Sequence, residues 1–124
     1  MATYAATVTL TVTLSGNGKN QTDVVLAQWQ NQASPGICEQ VTLAAGTPFT
    51  VTPPASPQNL AGMAIVQLPP GVSATWKGVS GDAGYAMGTV GSQNVALVVP
   101  LNQTSPGSFV LLSVAQAVVS VWFV

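Results

Sequence analysis

Side chains able to do chemistry are scarce in this chain. Its 124 residues hold two lysines (Lys19, Lys77), three acids (Asp23, Glu39, Asp82) and one cysteine (Cys38), with no histidine or arginine. General acid–base catalysis, metal ligation and phosphate clamping draw on these residue types in clusters, and here they are scattered. No catalytic, cofactor-binding or metal-binding residue is assigned. Cys38 lacks a histidine base and reads as structural; it also cannot form an intramolecular disulfide, consistent with a reducing compartment.

The densest constellation is Lys77-Gly78-Val79-Ser80-Gly81-Asp82-Ala83-Gly84, preceded by Trp76. A calcium site gathers several oxygen ligands, whereas this segment has one carboxylate. The simpler expectation is a structural turn at Lys77, Gly78, Gly81, Asp82 and Gly84. Its glycines permit tight reversals, Asp82 accepts from nearby backbone N–H groups and Lys77 offsets its charge. The order of residues is not that of a P-loop.

A charged fraction of 4% and a net charge of −1 also bear on partners. Two cations are too few to neutralise a nucleic-acid backbone, so no nucleic-acid partner is expected. Soluble monomers carry about a quarter charged residues, so much of this neutral surface is expected to be covered in a homo-oligomer or larger assembly, the alternative being an unusually neutral monomer. The uncharged stretch Ser108 to Val124 is short for a spanning helix and lacks a basic flank. Its β-branched residues fit a buried strand, and no membrane association is expected. The start Met1-Ala2-Thr3-Tyr4 has no basic n-region, so synthesis and folding in a cytoplasm are expected.

The elements follow a period of two. Val8, Leu10, Val12 and Leu14 alternate with Thr7, Thr9, Thr11 and Thr13, which predicts a half-buried strand. Ser15 to Asn20 predicts a reversal into Val24 to Trp29, either as the second arm of a hairpin or as a short helix capped by Thr22. Further strands are predicted at Ile37 to Leu43, Phe49 to Thr52, Met63 to Leu68, Val72 to Val79 and Asn94 to Val99. Turns are expected at Ala45 to Pro48 and Pro69 to Gly71, with a loop or edge at Pro53, Pro54 and Pro57. The last 17 residues predict two strands bent near Ala115 to Ala117. Trp122 is expected in the core, while the apolar character of both faces of the final strand calls for two covers, its own sandwich and either loops or a neighbouring subunit.

About eight to ten short strands with Gly/Pro turns predict an all-β fold, a single antiparallel β-sandwich or jelly-roll-like domain over residues 1–124. Residues 1–40 form an N-terminal strand or hairpin region available for assembly contacts.

The runs Val41 to Pro54, Ala64 to Pro70, Trp76 to Gly84 and Ser108 to Leu112, with the hydrophobic terminus, resemble small β-sandwich virion proteins of tailed bacteriophages. The likeness covers roughly residues 41–124. It implies a non-enzymatic virion protein, foremost a capsid decoration or cement protein, made in the host cytoplasm. The implied partners are the major capsid protein or tail proteins, and a symmetric homo-oligomer such as a trimer is expected. The alternatives are a tail or baseplate component, or a carbohydrate-binding host-recognition module using Trp29, Trp76, Trp122 or Tyr85. The candidate assembly contacts are Thr7, Thr9, Thr11 and Thr13 on the first strand and Val118, Trp122 and Val124 on the last.

Overall fold

A computed structural model describes residues 4–16, 19–56, 59–88, 93–102 and 107–124. Asn17 and Gly18 of the expected first reversal, and Pro57, lie outside the described residues. The described chain is all-β: β1 (Tyr4–Gly16), β2 (Lys19–Ser34), β3 (Ile37–Leu43), β4 (Phe49–Val51), β5 (Ala55–Ser56), β6 (Asn59–Leu60), β7 (Met63–Leu68), β8 (Ser73–Lys77), β9 (Tyr85–Gly88), β10 (Val95–Pro100), β11 (Phe109–Leu112) and β12 (Ala117–Phe123).

Eight of these strands form two antiparallel four-stranded sheets, ordered β10-β7-β12-β3 and β4-β11-β8-β9. The pairing is nested: β3 with β12, β4 with β11, β7 with β10 and β8 with β9. Such nesting is a long antiparallel pair rolled up on itself, the jelly roll. It needs chain reversals at regular intervals, and the sequence supplies them. Gly46 and Gly71 adopt φ of 68° and 77°. The Gly46 N–H donates to Ser113 O at 2.7 Å, pinning the β3–β4 turn to the β11–β12 bend, and the Val72 N–H donates to Pro69 O at 3.2 Å.

Alternation then builds the core. Val41 and Leu43 of β3, Ala64, Val66 and Leu68 of β7 and Val119, Val121 and Phe123 of β12 face inward. Across from them lie Val51, Ala74, Met87, Phe109 and Leu111 of the second sheet. Trp76 packs beside Phe109 with ring centroids 6.2 Å apart. Its Nε1 is buried and has no hydrogen-bond partner.

β1 and β2 stand apart from the two sheets as a two-stranded antiparallel ribbon. The strand alternative for 23–30 therefore holds and the capped helix does not form. The half-buried first strand expected from the sequence forms in part, with Ala6, Val8 and Val12 partly covered between exposed threonines. Leu10 and Leu14 remain 51% and 65% exposed, because the ribbon projects as an arm instead of joining a sheet. Trp122, expected in the core, points outward and is 41% exposed; its neighbours Val121 and Phe123 hold the inward register. β9 was concealed by its glycine-rich context, and β8 is shorter than the Val72 to Val79 run because the chain turns at Gly78.

Candidate functional site

The arm carries two chemically distinct faces. Residues directly opposite in an antiparallel pair share a face. The register therefore gathers Ala6, Val8, Leu10, Val12 and Leu14 with Trp29, Ala27 and Val24 on one side, and Thr7, Thr9, Thr11 and Thr13 with Gln30, Gln28 and Val25 on the other. A register shift between Leu10 and Thr11 skips Leu26 and brings Val24 to the apolar side. Such a bulge also increases local twist. An isolated two-stranded ribbon is marginal in water, and beyond its root this one leaves Leu10, Leu14 and Val24 exposed on its apolar face among the described residues, with Val12 partly buried.

The root is bolted to the sandwich. Trp29 lies over Gly62 so closely that a Cβ there would sit 1.9 Å from Cζ2 and 2.3 Å from Cη2 of the indole. The buried Asn31 donates from Nδ2 to Val124 O at 3.0 Å, and its Oδ1 accepts from the Ala33 N–H at 3.0 Å. Val124 O also accepts from the Gly62 N–H, while the Val124 N–H donates to Met63 O. At the exit to β3, Ser34 Oγ accepts from the Gly36 N–H at 3.1 Å. Gly36 has a φ of 58° and faces the Tyr4 ring, where a Cβ would come within 2.7 Å of Cδ2.

A second uncharged surface lies on the outer face of the β10-β7-β12-β3 sheet. Cys38 pairs with Trp122, Trp122 with Ile65 and Ile65 with Val98. The result is a straight apolar row across all four strands. The next row is neutral and polar, Gln40, Ser120, Gln67 and Ala96, and beyond it Thr42 pairs with Val118. Cys38, Val98, Val118 and Trp122 are exposed.

The sequence-predicted contacts thus fall on three places. Thr7, Thr9, Thr11 and Thr13 occupy the polar side of the arm, Val118 and Trp122 the outer sheet face, and Val124 the arm's root. The register does not combine the threonines with Val118 and Trp122 in one patch. What the threonine pattern missed is the opposite side, Leu10, Leu14 and Val24. Their alternation was visible, but whether they are covered depends on where the hairpin goes.

The chain turns where the sequence predicts. Asp82 Oδ2 accepts from the Val79 N–H at 3.2 Å and the Asp82 N–H donates to Val79 O at 3.1 Å. Gly84 has a φ of 84°, and a Cβ there would lie 2.5 Å from Thr75 Cγ2 and 2.8 Å from Lys77 Cγ. Gly78 lies beside Asp82, whose Oδ2 would be 3.1 Å from a Cβ at that position, and Gly81 is open.

Between the β9 and β10 edges lies a groove of about 330 Å³ lined by Trp76, Tyr85, Leu97, Val98, Val99 and Pro100. Tyr85 is 62% exposed, whereas Trp76 is largely taken up by the core. Among the described residues no group of three or more His, Cys, Asp or Glu side chains could hold a metal ion. Nor is there a helix among them long and apolar enough to cross a membrane. Comparison with protein-family models, curated proteins and solved structures finds no match to this chain.

Proposed function

We propose that this chain is a non-enzymatic structural protein of a phage particle, a capsid decoration or cement protein acting as a closed homo-oligomer such as a trimer. The observation that carries this reading is the arm, a firmly rooted β-ribbon whose apolar side leaves Leu10, Leu14 and Val24 exposed beyond the root among the described residues. A monomeric protein gains nothing from such a ribbon, whereas an assembly subunit gains a clasp. Apolar contact and neutral polar side chains would do the holding, and charge steering would contribute little. Jelly rolls build viral capsid and lectin domains alike, so the fold agrees with the reading without selecting it.

The groove at Trp76 and Tyr85 favours a second reading, carbohydrate binding. A sugar needs several hydrogen-bonding groups around its stacking face. The side chains lining this groove offer just the Tyr85 hydroxyl and the buried Trp76 Nε1, so the assembly reading is the better supported.

The test is immunogold electron microscopy on purified particles, counting label on heads, tails and background. Label over the head supports decoration of the major capsid protein, and label at one tail end moves the role to tail or baseplate proteins. Absence of label from every particle removes the virion reading.

A further inference from the structure

Two apolar surfaces stay exposed among the described residues: the arm side at Leu10, Leu14 and Val24, and the outer sheet row of Cys38, Trp122 and Val98, with the half-buried Ile65 between the last two. We propose that they cover each other between copies, the arm of one subunit lying with its apolar side on the β10-β7-β12-β3 face of the next. This rests on the assembly reading and names its contact.

Charge is the first argument. The residues assigned to the arm's apolar side and to the sheet's outer rows include no ionisable group other than the Cys38 thiol. Neither surface is suited to a charged partner, and each meets in the other the same mixture of aliphatic and neutral polar groups. Burial costs neither side an ion's hydration shell.

Area is the second. With strands about 4.8 Å apart and a rise of about 3.4 Å per residue, the arm beyond its root, from Leu10 to Leu14, offers a side of about 10 by 17 Å, which fits within the four-stranded face of about 19 by 20 Å at the usual ~10 Å separation of packed sheets. One such contact hides roughly 340 Å² summed over both copies, well below the ~1,200 Å² at which stable interfaces begin. Each copy, however, has one arm and one sheet face. In a closed assembly every copy makes two contacts and is held by roughly 700 Å², whereas the end copies of an open chain make one, so the area favours closure over an open chain. Arm packed on arm would hide only one such area and leave the Trp122 row bare.

Cys38 lies in the docking row and is exposed, which makes the contact directly testable. Cysteine is introduced in turn at Val8, Leu10, Val12 and Val24 on the apolar side and at Thr9 on the polar side. A short bis-maleimide is added to the purified full chain, and products are resolved on denaturing gels. We expect at least one apolar-side variant to give a covalent ladder ending at a fixed small number of copies. Its yield should be at least tenfold above Thr9→Cys, and it should vanish when Cys38→Ser is added. Ladders that survive Cys38→Ser would assign the contact to arm on arm and overturn the proposal. So would a sedimentation profile that stays oligomeric with no ladder from any variant, or one that is monomeric at tens of micromolar. A second variant, Trp122→Asp, is expected to shift sedimentation to the monomer with an unchanged far-ultraviolet circular dichroism spectrum; an unshifted oligomer counts against the docking face. Gold label on particles without cross-linking would remove this contact alone, whereas cross-linked rings absent from particles would remove the virion reading alone.

Discussion

Gly62→Ala is expected to release the root of the arm. The new methyl would fall 1.9 Å from Trp29 Cζ2, far inside any tolerable contact, so the indole must leave its seat. Removing a fully buried Trp side chain costs about 3–5 kcal/mol; Trp29 is half-buried, so about 2–3 kcal/mol is expected here. For a domain of this size that lowers the melting midpoint by roughly 10 °C. The informative quantity is the coupling. In a Trp29→Ala background the seat is empty, the backbone at Gly62 is not in the left-handed region, and the same methyl is expected to cost under ~0.5 kcal/mol or to stabilise slightly through the unfolded chain. The double-mutant cycle should therefore show about 2 kcal/mol of non-additivity. Urea titrations of the four proteins, followed by far-ultraviolet circular dichroism so that the missing tryptophan does not remove the signal, measure it. Additive costs would refute the argument, since they would mean that Trp29 does not occupy the space over Gly62.

Three further outcomes follow from the geometry. Trp76→Phe removes a buried N–H without an acceptor and is expected to cost less than ~1 kcal/mol, because the relieved donor offsets the lost ring area; a loss above ~2 kcal/mol in urea denaturation would show that Nε1 has a partner. Gly84→Ala meets both a φ of 84° and a 2.5 Å clash with Thr75 Cγ2, whereas Gly46→Ala meets a φ of 68° in open space. The first should cost at least ~2 kcal/mol and the second about 1, and thermal melts that rank them the other way would contradict this. Binding to particles should change less than about threefold between 50 and 300 mM salt, since so few charges are available to be screened; pelleting assays that find a steep loss would contradict apolar contact as the holding force.

The sandwich was legible because its signals are local. The strand signal at Ile37–Leu43 and the nearly continuous apolar run at Met63–Leu68 marked the bounds of β3 and β7 to the residue, and proline and glycine marked the reversals between them. The nested pairing was not legible, since Val121 opposite Val66 and Glu39 is a fact about partners far apart in sequence. β9 was missed because Tyr85–Gly88 is four residues long and takes its strand conformation from pairing with β8. Trp122 was misplaced for a related reason: parity along β12 was clear, but which parity faces the core is set by Phe123 and its opposite sheet. The site was half legible. Threonines on alternate positions drew attention to the arm and are indeed exposed, but on the opposite side Leu10, Leu14 and Val24 are exposed as well while Ala6, Val8 and Val12 are partly covered, and that depends on the hairpin leaving the body of the fold.

The nested pairing also orders events in time. β3, the first sandwich strand to be made, has β12, the last, as its partner, so the first sheet cannot close until β12 has been made. Topologies so dominated by distant pairings fold slowly, in milliseconds to seconds. The arm is the opposite case, because β1 meets β2 across one short reversal, and hairpins of that kind form in about 1–10 μs. The hairpin can therefore form transiently before the surface that it is proposed to grip exists, but its root waits for Gly62, Met63 and Val124. Under the proposed contact, that delay separates the making of a subunit from its joining to others, and keeps chains not yet extended to β12 from being captured through the sheet face.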